Sequence, residues 1–341
     1  MRKNKIISAI LLATMITSSI TYVATAETSV KTIFGNNRYE TAIKVLENGW
    51  KSGDTNTIII TTGKNVVDGL GATPLATICN SPILLCDENG LTKEAYEKIK
   101  ELGSIKNAYL IGGNNAVPTK VEEQLKTLKI KSKRLEGENR FETSVSIGNE
   151  INNLLKKENK TVDKVAVVNG NLGIADAISI ATIAGKEKMP IILCEKEYIP
   201  SVSLDFINKL NIKNSYVIGG QGIIEDTVTT GLKKLTKGDV ERLGGLNRYE
   251  TNDRIISRFY QQEDLKNIYV TTGDTLFDAL TIAPLASKED KSGPVLLVGQ
   301  NYYQYQKSFL KKKACDNFYQ VGGNVNKEIV DEMSKDLGKI D

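Results

Sequence analysis

Nine short apolar runs recur along the chain in a fixed order, three to each of three successive segments. The first run of each set is β-branched, Thr57–Ile60, Lys164–Val168 and Ile268–Val270, and leads to a glycine turn at Gly63, Gly170 or Gly273. The second is introduced by proline: Pro82–Leu85, Pro190–Leu193 and Pro294–Leu297. The third runs into paired glycines: Tyr109–Gly113, Tyr216–Gly220 and Tyr319–Gly323. Runs that are apolar at every position predict strands buried on both faces. The stretches between them predict helices: a small-residue one (Gly71–Ala76, Ala181–Ala184, Ala283–Ala286), one of mixed charge (Lys93–Leu102, Leu204–Leu210, Tyr305–Lys312) and a closing one (Thr119–Leu128, Glu225–Leu235, Lys327–Leu337). Buried strands alternating with helices imply an α/β fold built on small parallel sheets. Sites on such sheets lie at the carboxyl ends of the strands, where Gly63, Asp68, Gly112 and their equivalents fall.

A heptapeptide precedes each set: Gly35–Thr41, Gly137–Thr143 and Gly245–Thr251, all reading Gly-x-Asn-Arg-aromatic-Glu-Thr. A pattern with six restricted positions, repeated three times, marks internal repeats of roughly a hundred residues. Asn37, Asn139 and Asn247 each stand three residues before a glutamate (Glu40, Glu142, Glu250) and ahead of an apolar-periodic run. This spacing predicts a capping box, in which the asparagine accepts from the first helical turn and the glutamate reaches back to the cap's own N–H. The first turn then presents Arg38, Arg140 or Arg248 and the ring of Tyr39, Phe141 or Tyr249 beside the positive end of a helix dipole. Such a group of donors suits an anionic or carbohydrate-like ligand. A structural role is equally compatible with the pattern: the arginine paired with an acid of its own or a neighbouring repeat, and the ring in the core. Both partners duplicate together, so three copies do not decide between these readings.

Asp68, Asp176 and Asp278 follow the first glycine turn of each repeat. As structural groups they cap the next helix or pair with the motif arginine; as functional groups they supply a general acid or a metal ligand. The structural role is preferred, because no paired-acid motif of a glycosidase accompanies them. No GxxxxGK[ST] phosphate loop is present.

Composition narrows the function. Residues 1–26 combine the basic start Arg2, Lys3 and Lys5, an apolar Ile6–Ile20 stretch and an Ala24-Thr25-Ala26 cleavage pattern, which predicts a secretory signal peptide and an exported chain with no membrane span after cleavage. Removing its three basic residues from the 45 of the chain leaves 42 against 41 acids, about +1. This balance argues against a polycation that coats nucleic acid or membrane, so an anionic ligand must be met by specific arginines. There is no histidine, which removes Ser-His-Asp and Cys-His catalysis and the histidine-rich zinc sites of peptidoglycan amidases. Cys79, Cys86, Cys194 and Cys315 lack metal-ligand spacing; Cys86 and Cys194 share a repeat position with Val298 and are expected to be buried free thiols. No cofactor is implied.

The heptapeptide, the Gly…Asp turn, the Pro-[Ile/Val]-[Leu/Ile]-Leu strand and the Tyr-x-[Ile/Val]-Gly-Gly strand end together resemble cell wall binding repeat 2, found in tandem triplets in clostridial S-layer and cell wall proteins. The resemblance covers residues 32–339 and divides them into repeats at 32–130, 133–237 and 241–339. It implies three Toprim-like α/β modules packed about a pseudo-threefold axis, anchored non-covalently to an anionic cell wall polysaccharide, with S-layer proteins as further candidate partners. The family's Ile-Leu-Leu motif falls on Ile83, Leu84 and Leu85, which physically read as a buried strand. Charged contacts with polymer carry over onto Arg38, Arg140 and Arg248. Members commonly attach an enzymatic or adhesive domain, for which the sequence leaves no room. The expectation is therefore a non-enzymatic wall-binding protein; an S-layer assembly protein and, further off, an amidase or its modifier are the alternatives.

Overall fold

A computed structural model describes residues 29–339; the signal-peptide expectation lies outside them. The first segment begins with Val30–Ile33 (β1) and helix Arg38–Gly49 (α1). It continues through Thr57–Thr62 (β2), Ala72–Ile78 (α2), Ile83–Asp87 (β3), Gly90–Leu91 (β4), Lys93–Leu102 (α3), Asn107–Ile111 (β5) and Thr119–Thr127 (α4). The second comprises Lys131–Leu135 (β6), Arg140–Lys157 (α5), Lys164–Asn169 (β7), Ile174–Lys186 (α6), Ile191–Cys194 (β8), Ser201–Asn208 (α7), Asn214–Ile218 (β9) and Asp226–Leu235 (α8). The third comprises Asp239–Leu243 (β10), Arg248–Phe259 (α9), Asp264–Thr272 (β11), Phe277–Ser287 (α10), Val295–Val298 (β12), Gln304–Leu310 (α11), Ala314–Val321 (β13) and Lys327–Asp336 (α12). All nine apolar runs are strands. The helices α7 and α11 start earlier than the charge pattern predicted, at Ser201 and Gln304.

Each repeat forms a mixed α/β module on a small sheet, parallel except for the short β3–β4 hairpin. The central strand Thr57–Thr62 and the outer strand Ile191–Cys194 are buried along their whole length, because helices cover both faces. Ile83, Leu84 and Leu85 lie inside β3, at most 1% exposed, with Ile83 opposite Ile59 and Leu84 opposite Ile60.

The sheets do not follow the sequence periods. The strand that opens each period pairs with the last core strand of the preceding one: β6 with β5, β10 with β9. The chain's first strand, β1, completes the cycle by pairing with β13 of the third repeat, Ile33 opposite Val321. Each junction is thus crossed by a strand, and residues 288 positions apart in the chain are ladder partners. The small-residue helices α2, α6 and α10 pack pairwise against one another at the centre. Their alanine, glycine and threonine faces permit close approach: a Cβ on Gly185 of α6 would stand 2.6 Å from both Thr77 Oγ1 of α2 and Ser287 Oγ of α10. The result is a closed, pseudo-threefold triplet with a single continuous core.

The four thiols are free; Cys86 and Cys194 are buried, Cys79 and Cys315 partly so. Burial pushes the first three up to about 12 and Cys315 to about 11.

Candidate functional site

The heptapeptide turns the chain from the donated strand into a helix. Asn37 accepts from the Glu40 N–H at 2.9 Å, Asn139 from Glu142 at 3.0 Å and Asn247 from Tyr249 and Glu250 at 3.0 Å, so the predicted caps are present. The glutamate's return bond falls one residue earlier than the capping-box spacing suggested. Glu40 accepts from the Asn36 N–H at 3.1 Å, Glu142 from Glu138 at 3.0 Å and Glu250 from Leu246 at 2.9 Å. In the first two repeats the cap's own side-chain amide occupies the glutamate's other oxygen, at 3.0 Å. The threonine that ends the motif accepts from the glycine that begins it: Gly35, Gly137 and Gly245 donate at 3.2, 3.2 and 3.0 Å. The turn is therefore closed by its own residues.

Within its own repeat, the motif arginine donates to the carbonyl of the glycine after the first core strand. Arg38 reaches Gly63 at 2.7 Å, Arg140 reaches Gly170 at 2.8 Å and Arg248 reaches Gly273 at 2.5 Å. The aromatic ring packs on the same glycine. A Cβ on Gly63 would meet Tyr39 at 2.5 Å, on Gly170 would meet Phe141 at 3.1 Å, and on Gly273 would meet Tyr249 at 2.6 Å. These glycines are required by close approach. The rings are half-buried, Arg38 and Arg140 are partly exposed, and Arg248 is exposed.

The repeated aspartate does not cap a helix. Asp68 opens a 3-10 turn (Asp68–Gly71), and Asp176 and Asp278 lie inside the first turns of α6 and α10, whose cap residues make no side-chain bond. Each carboxylate instead sits over the first glycine of the Gly-Gly turn in its own repeat. Those glycines have φ of +109° (Gly112), +130° (Gly219) and +92° (Gly322), and a Cβ there would stand 3.0, 3.0 and 2.2 Å from an oxygen of Asp68, Asp176 and Asp278 respectively. Burial pushes all three carboxyls above the ordinary range, Asp176 and Asp278 to about 6. The opposing positive charge belongs to the next repeat: Arg140 for Asp68, Arg248 for Asp176 and, across the cyclic closure, Arg38 for Asp278. Thr251 also lies close enough to Asp176 to offset part of the burial effect.

Between repeats one and two these groups line a cleft of about 410 Å³, walled by Asp68, Gly113–Ala116 and the Gly137–Arg140 turn. Its counterpart at the closure, about 200 Å³, is walled by Asp278, Gly323 and the Gly35–Arg38 turn. There Arg38 also stacks over Phe277, 4.0 Å from its centroid. Both clefts thus join the capped helix start of one repeat to the aspartate and Gly-Gly turn of its predecessor.

Sequence reading overlooked two clamps. Arg134 of β6 donates to the carbonyls of Gly112 and Val117 at 2.8 Å, and Arg242 of β10 to Gly219 at 2.9 Å. The recurring Arg-Leu pair just ahead of two motifs (Arg134-Leu135, Arg242-Leu243) was the available signal.

Three modules joined by the same arginine–aspartate junction, open as a cleft at two of them, define a tandem-repeat protein. Residues 32–122, 134–229 and 242–329 match the family described as Cell wall binding domain 2 (CWB2), and the chain belongs to that family. It is 30% identical to N-acetylmuramoyl-L-alanine amidase LytC of Bacillus subtilis (strain 168), over 88% of this chain and 56% of that protein. It is also 30% identical to the Amidase enhancer of the same organism, over 89% of this chain and 40% of that protein. Among solved structures, Cwp6 from Clostridium difficile superposes with a TM-score of 0.85 at 28% identity, covering 91% of this chain and 48% of Cwp6. Cwp8 from the same species gives 0.80 at 29% identity, covering 92% and 52%. The chain spans about half the length of these relatives.

Proposed function

We propose that this protein binds the cell wall non-covalently at the cell surface, its arginine-bearing junctions engaging an anionic wall polysaccharide. The observation that carries the reading is the repeated pairing, across each junction, of a motif arginine with the preceding repeat's aspartate, at two of the junctions at the edge of a solvent-open cleft. Each guanidinium uses one N–H on a glycine carbonyl and keeps further donors for a phosphate or carboxylate, while the aspartate accepts from sugar hydroxyls. Holding a buried carboxylate partly ionised works against stability, and groups perturbed in this way concentrate at functional sites. Repeated sites on one rigid body raise avidity for a repetitive polymer without any tight single site. Family membership supports the wall as target, and the Cwp likeness supports a surface location.

We read the chain as non-enzymatic. The amidase activity in LytC's name belongs to a protein roughly twice as long as the matched part, and this sequence has no histidine to offer an amidase zinc site.

Sedimentation with washed walls tests the proposal. The chain is expected to pellet with intact walls and not with walls stripped of their secondary polymer, and Arg38→Gln/Arg140→Gln/Arg248→Gln, folded by circular dichroism, to remain in solution. Equal pelleting with stripped walls would defeat the polysaccharide reading; a folded triple variant that still pellets would remove the arginines from the site.

A further inference from the structure

The third repeat differs from the other two around its motif aromatic. Tyr249 packs on Tyr303, ring centroids 5.5 Å apart at 31°, and Tyr303 stacks on Tyr305 at 5.1 Å and 8°. All three rings are half-buried, each leaving part of its surface in solvent. Tyr303 caps α11 and Tyr305 is its second residue; the caps of α3 and α7 are Thr92 and Pro200, followed by Lys93-Glu94 and Ser201-Val202, with no ring at either place.

Beside this stack a carboxylate replaces a hydrophobe. Asp253 stands five residues after Arg248, where the other repeats place the buried Ile43 and Val145. It is half-buried and has no hydrogen-bond or ion-pair partner among the described residues, and burial, with Glu250 adding to it, pushes its carboxyl up to about 6. The Tyr305 hydroxyl, near enough to feel Asp253, Glu250 and Tyr249, is also buried and unpartnered. Tyr249 donates to Asp274 at 3.3 Å. Folding alone favours an aliphatic at 253, as in the sister repeats, since an unpaired buried polar group is destabilising.

Stacked tyrosines rimmed by acceptors have a definite chemistry. A pyranose presents a C–H face that packs on aromatic surface and a rim of hydroxyls that donate to carboxylates. Arg254 is occupied by Glu250 at 2.6 Å and by the Gly244 carbonyl, so the acceptors outnumber the free cations here, which disfavours a phosphate. We propose that the third repeat carries a subsite for an uncharged pyranose ring, packed on Tyr249, Tyr303 and Tyr305 and donating hydroxyls to Asp253 and Asp274. The subsite lies apart from the arginine clefts' anion chemistry and rests on the wall-binding reading only for the origin of the sugar.

Saturation-transfer NMR on the whole chain, irradiating ring protons, tests this with three probes: maltotetraose, chitotetraose, and the neutral oligosaccharides released from washed walls by hydrofluoric acid. Transfer to at least one probe is expected. It should weaken about fivefold or more in Tyr303→Ala and in Asp253→Val. The latter restores the sister-repeat residue and should melt no lower than the parent, so its loss of signal cannot come from unfolding. Tyr198→Ala, at an exposed ring of the second repeat, should leave the signal intact. Absence of transfer to all three probes overturns the subsite, as does parental binding by Asp253→Val. Pelleting with walls in either of those cases leaves the wall-binding reading standing, so the two fail separately.

Discussion

Replacing Asp278 by asparagine should stabilise the protein at neutral pH and leave it unchanged in acid. Asp278 lies at the junction where the first and third repeats meet, one of its oxygens buried without a hydrogen-bond partner. Burial raises its carboxyl from 3.8 to about 6, against the partial opposition of Arg38. For an acid whose folded pKa is raised, the unfolded chain ionises first. Below pH 3.8 the group contributes nothing; as pH rises towards 6 the folded state is progressively disfavoured, and above 6 the full cost applies. Two units of pKa correspond to at most about 3 kcal/mol, and partial solvation of the site brings the expected gain in Asp278→Asn to about 1–2 kcal/mol at pH 7.5. In a chain of this size that is roughly 2–6 °C in melting temperature. Differential scanning calorimetry of parent and variant between pH 4 and 8 reads the difference directly. The comparison must be between proteins rather than along one profile, since Glu47 and Glu150, held low by their lysines, add stability with the opposite pH dependence. A variant less stable than the parent at pH 7.5, by a margin that vanishes in acid, would refute the reasoning, because it would mean that Arg38 more than compensates the buried charge.

Other perturbations probe the frame around the clefts. Gly322→Ala demands φ of +92° from an alanine and drives its Cβ to 2.2 Å from Asp278, so chemical denaturation should show a loss of about 2–4 kcal/mol. Leu84→Ala, in a fully buried strand, should cost about 2–5 kcal/mol and reduce wall pelleting only in proportion to the unfolded fraction. Cys86 and Cys194, raised to about 12, should resist a thiol reagent at pH 8 until the protein is denatured, as absorbance of the released chromophore would report.

What was legible in the sequence was whatever one repeat decides by itself. The nine core strands declared themselves because double-sided burial makes every position apolar, and Asn37, Asn139 and Asn247 because a cap is a local bond. The donated strands were not legible. Lys131-Ser-Lys-Arg-Leu135 exposes its first three residues at a sheet edge, buries only Leu135 fully, and carries no apolar signature. Partnership between repeats was also hidden, since each arginine and each aspartate occurs three times and periodicity cannot say which copies meet. Cyclic strand exchange answers that: it carries each motif to the Gly-Gly turn of the preceding repeat, so Arg140 faces Asp68. The tyrosine stack escaped notice because it breaks the repeat, and attention to what the three copies share passes over what one alone has.

The closure between β1 and β13 shows how one junction was rebuilt. At the other two, an arginine on the donated strand satisfies the carbonyl of the first Gly-Gly residue, Arg134 on Gly112 and Arg242 on Gly219. On β1 that position is Thr32, too short to reach, and its ladder partner is Gln320, where Leu110 and Val217 stand opposite the arginines. Gln320 is buried and donates to Gly322 at 3.1 Å, so an amide on the receiving strand does the work of a guanidinium on the donated one. Arg38 over Phe277 adds a contact at this junction, where Val67 and Ala175 precede the aspartates of the other repeats. The exchange predicts a thermodynamic cycle. Gln320→Leu should cost about 1–3 kcal/mol by orphaning a buried carbonyl, Thr32→Arg alone should change little because the acceptor is already engaged, and the double variant should recover most of the loss. Additive effects in urea unfolding would show that the two positions do not serve the same carbonyl. Recovery would show that the ring is closed by the same bond at all three junctions, supplied from either side.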